Sequence, residues 1–185
     1  MPRILPLDEL NVLIRKYNSS SPDTPISRLY DLDDIIDDLL DIFMLALANG
    51  VISINEQFGA DYQPSAEKIY DTIYKKIDGV TWKDRLETWY KNGGTAADII
   101  RIAETESHRI GNDMAFQAAK EVGATKKTWY TALDDRVRET HSYLESVSVG
   151  IEDAFYTFDG DSAQYPGDFG KAENNIGCRC EISYS

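Results

Sequence analysis

Residues 126–146 read KKTWYTALDDRVRETHSYLES, and residues 174–180 read NNIGCRC. Between them they decide the fold. Thr128, Trp129, Tyr130 and Thr131 are β-branched or aromatic, so Lys126 to Thr131 is expected as a strand. Leu133-Asp134-Asp135 is a turn whose acids can cap the next element. Arg136 to Leu144 reads as a short helix, which sets Arg138 and His141 one turn apart on one side. Val147 to Ile151 and Ala154 to Phe158 are further short strand candidates. Asp159 to Gly170 is a loop holding Gly160, Pro166 and Gly167. Cys178 to Tyr184 is a last strand, with Cys178, Cys180 and Ile182 on one face and Arg179 and Glu181 on the other.

Upstream, the periodicity changes from strand to helix. Residues 4–17 form a short amphipathic pattern through Leu5, Leu7, Leu10, Leu13 and Ile14, followed by a turn-rich loop over 18–25. A long helix is expected from Ser27 or Asp31 to Phe58. Leu32, Ile35, Ile36, Leu39, Leu40 and Phe43 form its apolar face, and Asp33, Asp34, Asp37, Asp38 and Asp41 its solvated one. These aspartates lack the glycine turn and terminal Glu of a calcium loop. Ala46 to Ile52 is apolar nearly all round, as in a buried or partner-facing segment, and Gly50 is a candidate break. Two more helices are expected over Pro64 to Ile77 and Trp82 to Tyr90. The aromatic residues there sit at core spacing, without the interleaved basic residues of a nucleic-acid platform.

Thr95, with Asp98 three residues on, predicts a capped helix start, and Gly123 a stop near Val122. The apolar stripe of this helix is Ile99, Ile102, Ala103, Ile110 and Met114, and Glu106 lies on it. A carboxylate facing a core must be paired or protonated. Either the helix rolls to expose Glu106, or a basic or amide partner reaches it from elsewhere. The C-terminal third offers Arg136, Arg138, His141 and Arg179. Long helices over residues 1–94, then a long helix and short strands over 95–185, make an α+β chain: a helical scaffold and partner-binding region ahead of a small module.

Bulk composition narrows the function. The net charge is -13, with 16 acidic against 10 basic residues over 1–94 and 16 against 9 over 95–185. Neither half has the basic footprint of strong nucleic-acid binding. An acidic surface fits a protein partner better. No apolar run approaches the roughly 20 residues of a membrane span, and the first residues lack a signal-peptide core, so synthesis in a cytoplasm is expected. Two cysteines one residue apart in a reducing compartment are expected as free thiols.

Thr105-Glu106, then Trp129, then Asp135-Arg136-x-Arg138-x-x-His141, then Tyr165-Pro166-Gly167-Asp168, then Cys178-Arg179-Cys180 occur in that order. Over about residues 95–183 this string resembles the Mu F-like minor head, or head morphogenesis, proteins of tailed phages. Residues 1–94 match only in being helical. The resemblance implies a low-copy virion protein without an established reaction, made in the host cytoplasm and associated with the portal vertex. It would act in head assembly or in DNA packaging and delivery. Portal and capsid proteins are then the implied partners, with self-association through the N-terminal helices. Some members carry a toxin or enzyme domain after the Cys-Arg-Cys motif. The sequence ends five residues beyond Cys180, so no such appended activity is expected.

Departures from the family pattern bear on chemistry. Some members have Cys-x-x-Cys where this chain has Arg138-x-x-His141, and a His where it has Asn175. The full Cys and His set of those relatives would suit zinc. Here His141, Cys178 and Cys180 remain, with Asp134 or Asp135 as a stretch, and a four-ligand structural set is incomplete. No cofactor is therefore expected, zinc being the alternative. A second alternative is a small hydrolase or transferase acting on a nucleotide through Glu106, Arg138 and His141, with His141 beside Arg138 and Glu106 as general base and Arg138 stabilising an anion. Against it stands a structural role, in which Asp135, Arg138, His141 and Glu106 tie the β part to the long helix by buried pairs.

Overall fold

A computed structural model describes residues 5–19 and 23–185. Residue 4, and positions 20–22 of the loop expected over 18–25, therefore lie outside the described residues. The chain is α+β. In order it forms α1 (Leu7–Asn18), a 3-10 turn (Ile26–Arg28), α2 (Leu32–Phe58), α3 (Ala66–Ile73), α4 (Trp82–Lys91) and α5 (Ala96–Glu121). The C-terminal part holds β1 (Lys126–Tyr130), α6 (Glu139–Ser142), β2 (Ser148–Gly150), β3 (Phe155–Tyr156), β4 (Ser162–Ala163), α7 (Ala172–Asn175) and β5 (Glu181–Tyr184). Among the described residues no helix is long and apolar enough to cross a membrane.

The capping chemistry behaves as its residues predict. Thr95 and Asp98 close a reciprocal capping box at the start of α5, and Thr81 and Asp84 do the same for α4. Gly123, at φ +88°, lets the chain leave α5 in a left-handed turn. Gly50 is a correction. It does not break α2, which runs through it without interruption. It is instead where α2 and α5 cross most closely. A Cβ there would overlap the Gly111 carbonyl oxygen and come within 3.1 Å of the Ala115 nitrogen. The two longest helices share the most extensive contact in the molecule, and a pair of small residues lets their backbones meet.

Helix α5 is the axis of the protein. From its start to Met114 it packs with α1, α2 and α4 through Ile99, Ile102, Ala103, Ile110 and Met114, around Trp82, Phe43 and Leu39. Its last turns contribute Ala115, Phe116, Ala118 and Ala119 to a second core with Trp129, Phe155, Phe169 and Ile182. From Glu106 to Phe116 every residue is buried.

Strand β1 is the centre of a three-stranded antiparallel sheet in the order β2-β1-β5, with Trp129 opposite Ile182 and Lys127 opposite Val149 on one side and Tyr184 on the other. Lys127 and Trp129 share its buried face. β3 and β4 form a separate two-stranded ribbon. The expected helix over 136–144 is shorter than its pattern suggests. Only Glu139–Ser142 is helical, because Arg138 occupies its extended N-cap and Ser146 takes a positive φ of 60°. The last strand likewise starts at Glu181 rather than Cys178, although the alternation of buried and less buried residues continues from Cys178 to Tyr184 as predicted.

Candidate functional site

The polar residues gather at two centres. The first is built on the buried stretch of α5. Glu106 is 3% exposed, so the helix does not roll to expose it. Its partners are not those expected. None of Arg136, Arg138, His141 and Arg179 forms an ion pair with it. One carboxylate oxygen accepts from Arg85 Nη2 of α4, and the other from Arg109 Nε at 2.7 Å, one turn along the same helix. Arg109, itself 1% exposed, spends its remaining donors on the carbonyls at the end of α3: Nη1 to Thr72 at 2.9 Å and Nη2 to Ile73 at 3.3 Å. Burial works against this charge, and the adjacent Glu106 carboxylate, helped by Tyr165 and Asp113, more than offsets it, holding the guanidinium above its usual pKa. Thr105, beside Glu106, keeps its hydroxyl oxygen buried without a hydrogen bond.

The Tyr165-Pro166-Gly167-Asp168 loop closes this knot from the other side. Gly167, at φ +94°, sits so tightly on α5 that a Cβ would come within 2.9 Å of Arg109 Cα and Cβ. Lys75 Nζ reaches from the end of α3 to Tyr165 Oη at 2.7 Å and Asp168 Oδ1 at 2.5 Å. The other Asp168 oxygen accepts from the Gln164 backbone. Pro166 is buried with this turn. The motif glycine is thus a close-approach residue, and the motif aspartate anchors the loop to α3. Two neighbouring side chains fix the rest of the segment. Asp161 accepts from the backbone nitrogens of Ser162, Gly170 and Lys171 and from Asn174. Asn175 bonds both backbone groups of Phe169.

The second centre is a thiol–imidazole cluster. His141, on α6, is 1% exposed, stacked on Phe169 with ring centroids 4.9 Å apart and edge-on to Trp129. Its Nδ1 lies 3.7 Å from Cys178 Sγ and 3.5 Å from Cys180 Sγ, while Nε2 is buried without a partner. Both cysteines are free and buried. A hydrogen bond from Cys180 lowers the pKa of the Cys178 thiol despite burial, and that shared contact together with burial raises that of Cys180. Outside the cluster, Arg179 forks onto Asp134 at 2.5 and 2.7 Å, which holds the Asp134 carboxyl down to about 2. Arg138 donates to the Ile176 carbonyl, Arg136 is solvent-exposed and 3.8 Å from Asp134, and Asp135 is exposed. Arg136, Arg138 and Arg179 line a shallow recess of about 10 Å³ over His141, Cys178 and Cys180.

The expected catalytic set of Glu106, Arg138 and His141 does not share a cleft. Glu106 lines a different, mainly apolar recess of about 90 Å³, with Arg85, Trp89, Ile102 and Arg109. Nor do Asp135 and Arg138 tie the β part to α5 by buried ion pairs. That link comes from His108, which sequence reasoning passed over. Its Nε2 is 2.9 Å from the Cys180 carbonyl, joining α5 to the Cys-Arg-Cys segment. Burial lowers the pKa of His108 from 6.5 to about 4. Between those values the unfolded chain takes up a proton that the folded one refuses, so stability falls as the pH drops from about 6.5 towards 4. The full effect is roughly 3 kcal/mol. Urea unfolding across this window checks it. A His108→Gln variant, which keeps a donor for the Cys180 carbonyl but cannot titrate, is expected to show a flatter profile. An unchanged slope would refute the assignment.

Fold and site together define an α+β protein whose C-terminal motif module is held to a central helix by the His108–Cys180 hydrogen bond and a close-approach loop glycine, beside a buried knot of Glu106 with Arg85 and Arg109. The family model described as phage Mu protein F like protein matches residues 65–183, and the chain belongs to that family. The match begins thirty residues earlier than the motif string suggests. For residues 65–94 this corrects the reading of a match only in being helical: α3 and α4 supply the Thr72 and Ile73 carbonyls and Arg85, and Lys75 follows α3. The chain is also 36% identical over 85 residues to the NAD(+)--arginine ADP-ribosyltransferase EFV of Enterococcus faecalis (strain ATCC 700802 / V583). That alignment covers 44% of this chain and 17% of that protein. No solved structure matches the chain significantly.

Proposed function

We propose that this chain is a minor head protein of a tailed phage. It is present in few copies, joins the head at the portal vertex during assembly, and acts in head assembly or in DNA packaging and delivery. The observation that carries this reading is the family match over residues 65–183. The geometry agrees with a structural part. The charged motif residues Glu106, Asp168 and Arg179 are spent on Arg85, Arg109, Lys75 and Asp134 within the molecule. Transferase activity is a property of the Enterococcus protein, of which this chain spans a small share, and the separation of Glu106 from Arg138 and His141 gives an enzyme reading no common site.

The partners are portal or capsid proteins of the head, met through a surface of net charge -13 and through helix faces. On α2, Ala46, Leu47 and Val51 are buried, while Met44, Leu45 and Ile52 face outward, an apolar strip suited to self-association or docking. Co-expression with the cognate portal and major capsid proteins, followed by sedimentation at mild salt, tests the proposal. The chain is expected to travel with portal-containing particles. Recovery only at the top of the gradient would overturn the reading.

A further inference from the structure

We propose that His141 Nδ1, Cys178 Sγ and Cys180 Sγ bind one zinc ion, whose fourth position faces the arginine-lined recess. The three ligating atoms come from two segments 37 residues apart and lie within 4.8 Å of one another. They are the only group of three or more metal-ligating side chains so arranged among the described residues. Asp134, the further ligand considered from sequence, is turned to Arg179 instead.

Two physical arguments favour a metal site over a pair of packed thiols. The first is valence. An imidazole nitrogen carries either one lone pair or one N–H, so it makes one good hydrogen bond. Here both sulfurs crowd the same nitrogen, at 3.5 and 3.7 Å. A hydrogen bond at that nitrogen serves one sulfur and leaves the other to its fellow thiol, whereas a cation between the three atoms engages all of them at once. The second is shape. In tetrahedral zinc, with Zn–N of ~2.0 Å and Zn–S of ~2.3 Å, each nitrogen–sulfur edge is about 3.5 Å. The observed separations, 3.5 and 3.7 Å, are close to that edge length. The ring is already held by its stack on Phe169 and its contact with Trp129, so the ligand needs little reorientation. A rigid first set of ligands is what tight binding requires.

Charge also balances. Loss of the two thiol protons gives two thiolates, which with neutral His141 neutralise a divalent ion. Arg136, Arg138 and Arg179 at the rim favour the thiolate forms. The recess above the cluster is the size of one water, the natural occupant of the fourth position. A bound ion would cross-link α6 to the segment that enters β5, and so fasten the end of the chain to the hairpin built on β1.

The test uses untagged full-length protein, grown with added zinc and purified under reducing conditions. Metal analysis is expected to give about one zinc per chain. Cobalt added to the chelator-stripped protein should produce the sulfur-to-cobalt charge-transfer absorption of a thiolate site. Chelation should lower the melting temperature, and zinc should restore it. The Cys178→Ser/Cys180→Ser double variant should lose the metal while keeping its far-ultraviolet circular dichroism. Should that variant fail to fold, the cobalt spectrum of the natural chain decides. Less than a tenth of an equivalent of zinc with no cobalt–thiolate band would overturn the proposal. A folded double variant that retains a full equivalent would overturn it too. Neither outcome bears on association with the head.

Discussion

Replacing Glu106 with alanine is expected to destabilise the protein by about 3–5 kcal/mol, the cost of removing one member of a buried ion pair. The reason lies less in the lost attraction than in what stays behind. Arg109 is 1% exposed and remains charged, with the Thr72 and Ile73 carbonyls to accept its donors and the Asp113 carboxylate, 3.9 Å away, as its remaining counter-charge. Arg85, at the edge of the recess, can turn to solvent and so contributes less to the loss. For a chain of this length the melting temperature should fall by roughly 10 °C. Glu106→Gln, which keeps one acceptor near Arg109 Nε, should fall between the alanine variant and the natural chain. Thermal and urea unfolding of the three proteins provide the measurement. A melting temperature for Glu106→Ala within a degree of the natural protein would show that the knot does not carry the fold.

Trp129→Ala should be of the same size, about 3–5 kcal/mol, through a different mechanism. Trp129 is fully buried on the inner face of β1 and packs against Phe155 at 5.1 Å, Phe169 at 5.6 Å and His141 at 5.9 Å between ring centroids. Truncation leaves a cavity among rings that other contacts already fix, so little collapse can refill it. The loss should therefore appear in the C-terminal core first. Hydrogen exchange is expected to speed up in β1, β2 and β5 well before α1 and α2, because those helices draw on the separate core around Trp82 and Phe43. Trp129→Phe, which keeps an aromatic face for His141, should recover part of the stability. Uniform acceleration across both cores would contradict this division, as would a Trp129→Ala protein of unchanged stability.

The helical scaffold was legible because local rules act there without competition. Thr95 with Asp98 and Gly123 announce the ends of α5, and the spacing of Ile35, Ile36, Leu39 and Phe43 announces the buried face of α2. The same rules misled at Gly50. Glycine is a weak helix former, but a close helix crossing rewards its missing side chain. The short elements of the module were overextended by their patterns, since a one-turn helix and a four-residue strand end where tertiary contacts end rather than where propensity does.

The candidate site divides in the same way. That Glu106 needs a partner, basic or amide, follows from its place on an apolar stripe, and that Cys178 and Cys180 point together follows from strand alternation. Both inferences use only chain-local geometry, and the motif string that marks the family is likewise readable along the chain. Which cation meets Glu106 was decided by the packing of α4 and α3 against α5. The pairing runs through Arg85, 21 residues away, and through Arg109, whose burial shows only once α5 is enclosed on all sides. The meeting of His141 with the two cysteines is tertiary too, made when β1 pairs with β5 and brings residues 37 and 39 positions apart into contact. Sequence by itself determined that buried charge and paired thiols were present. Their partners depended on long-range packing, because a single chain records what each side chain requires but not which distant segment folds against it.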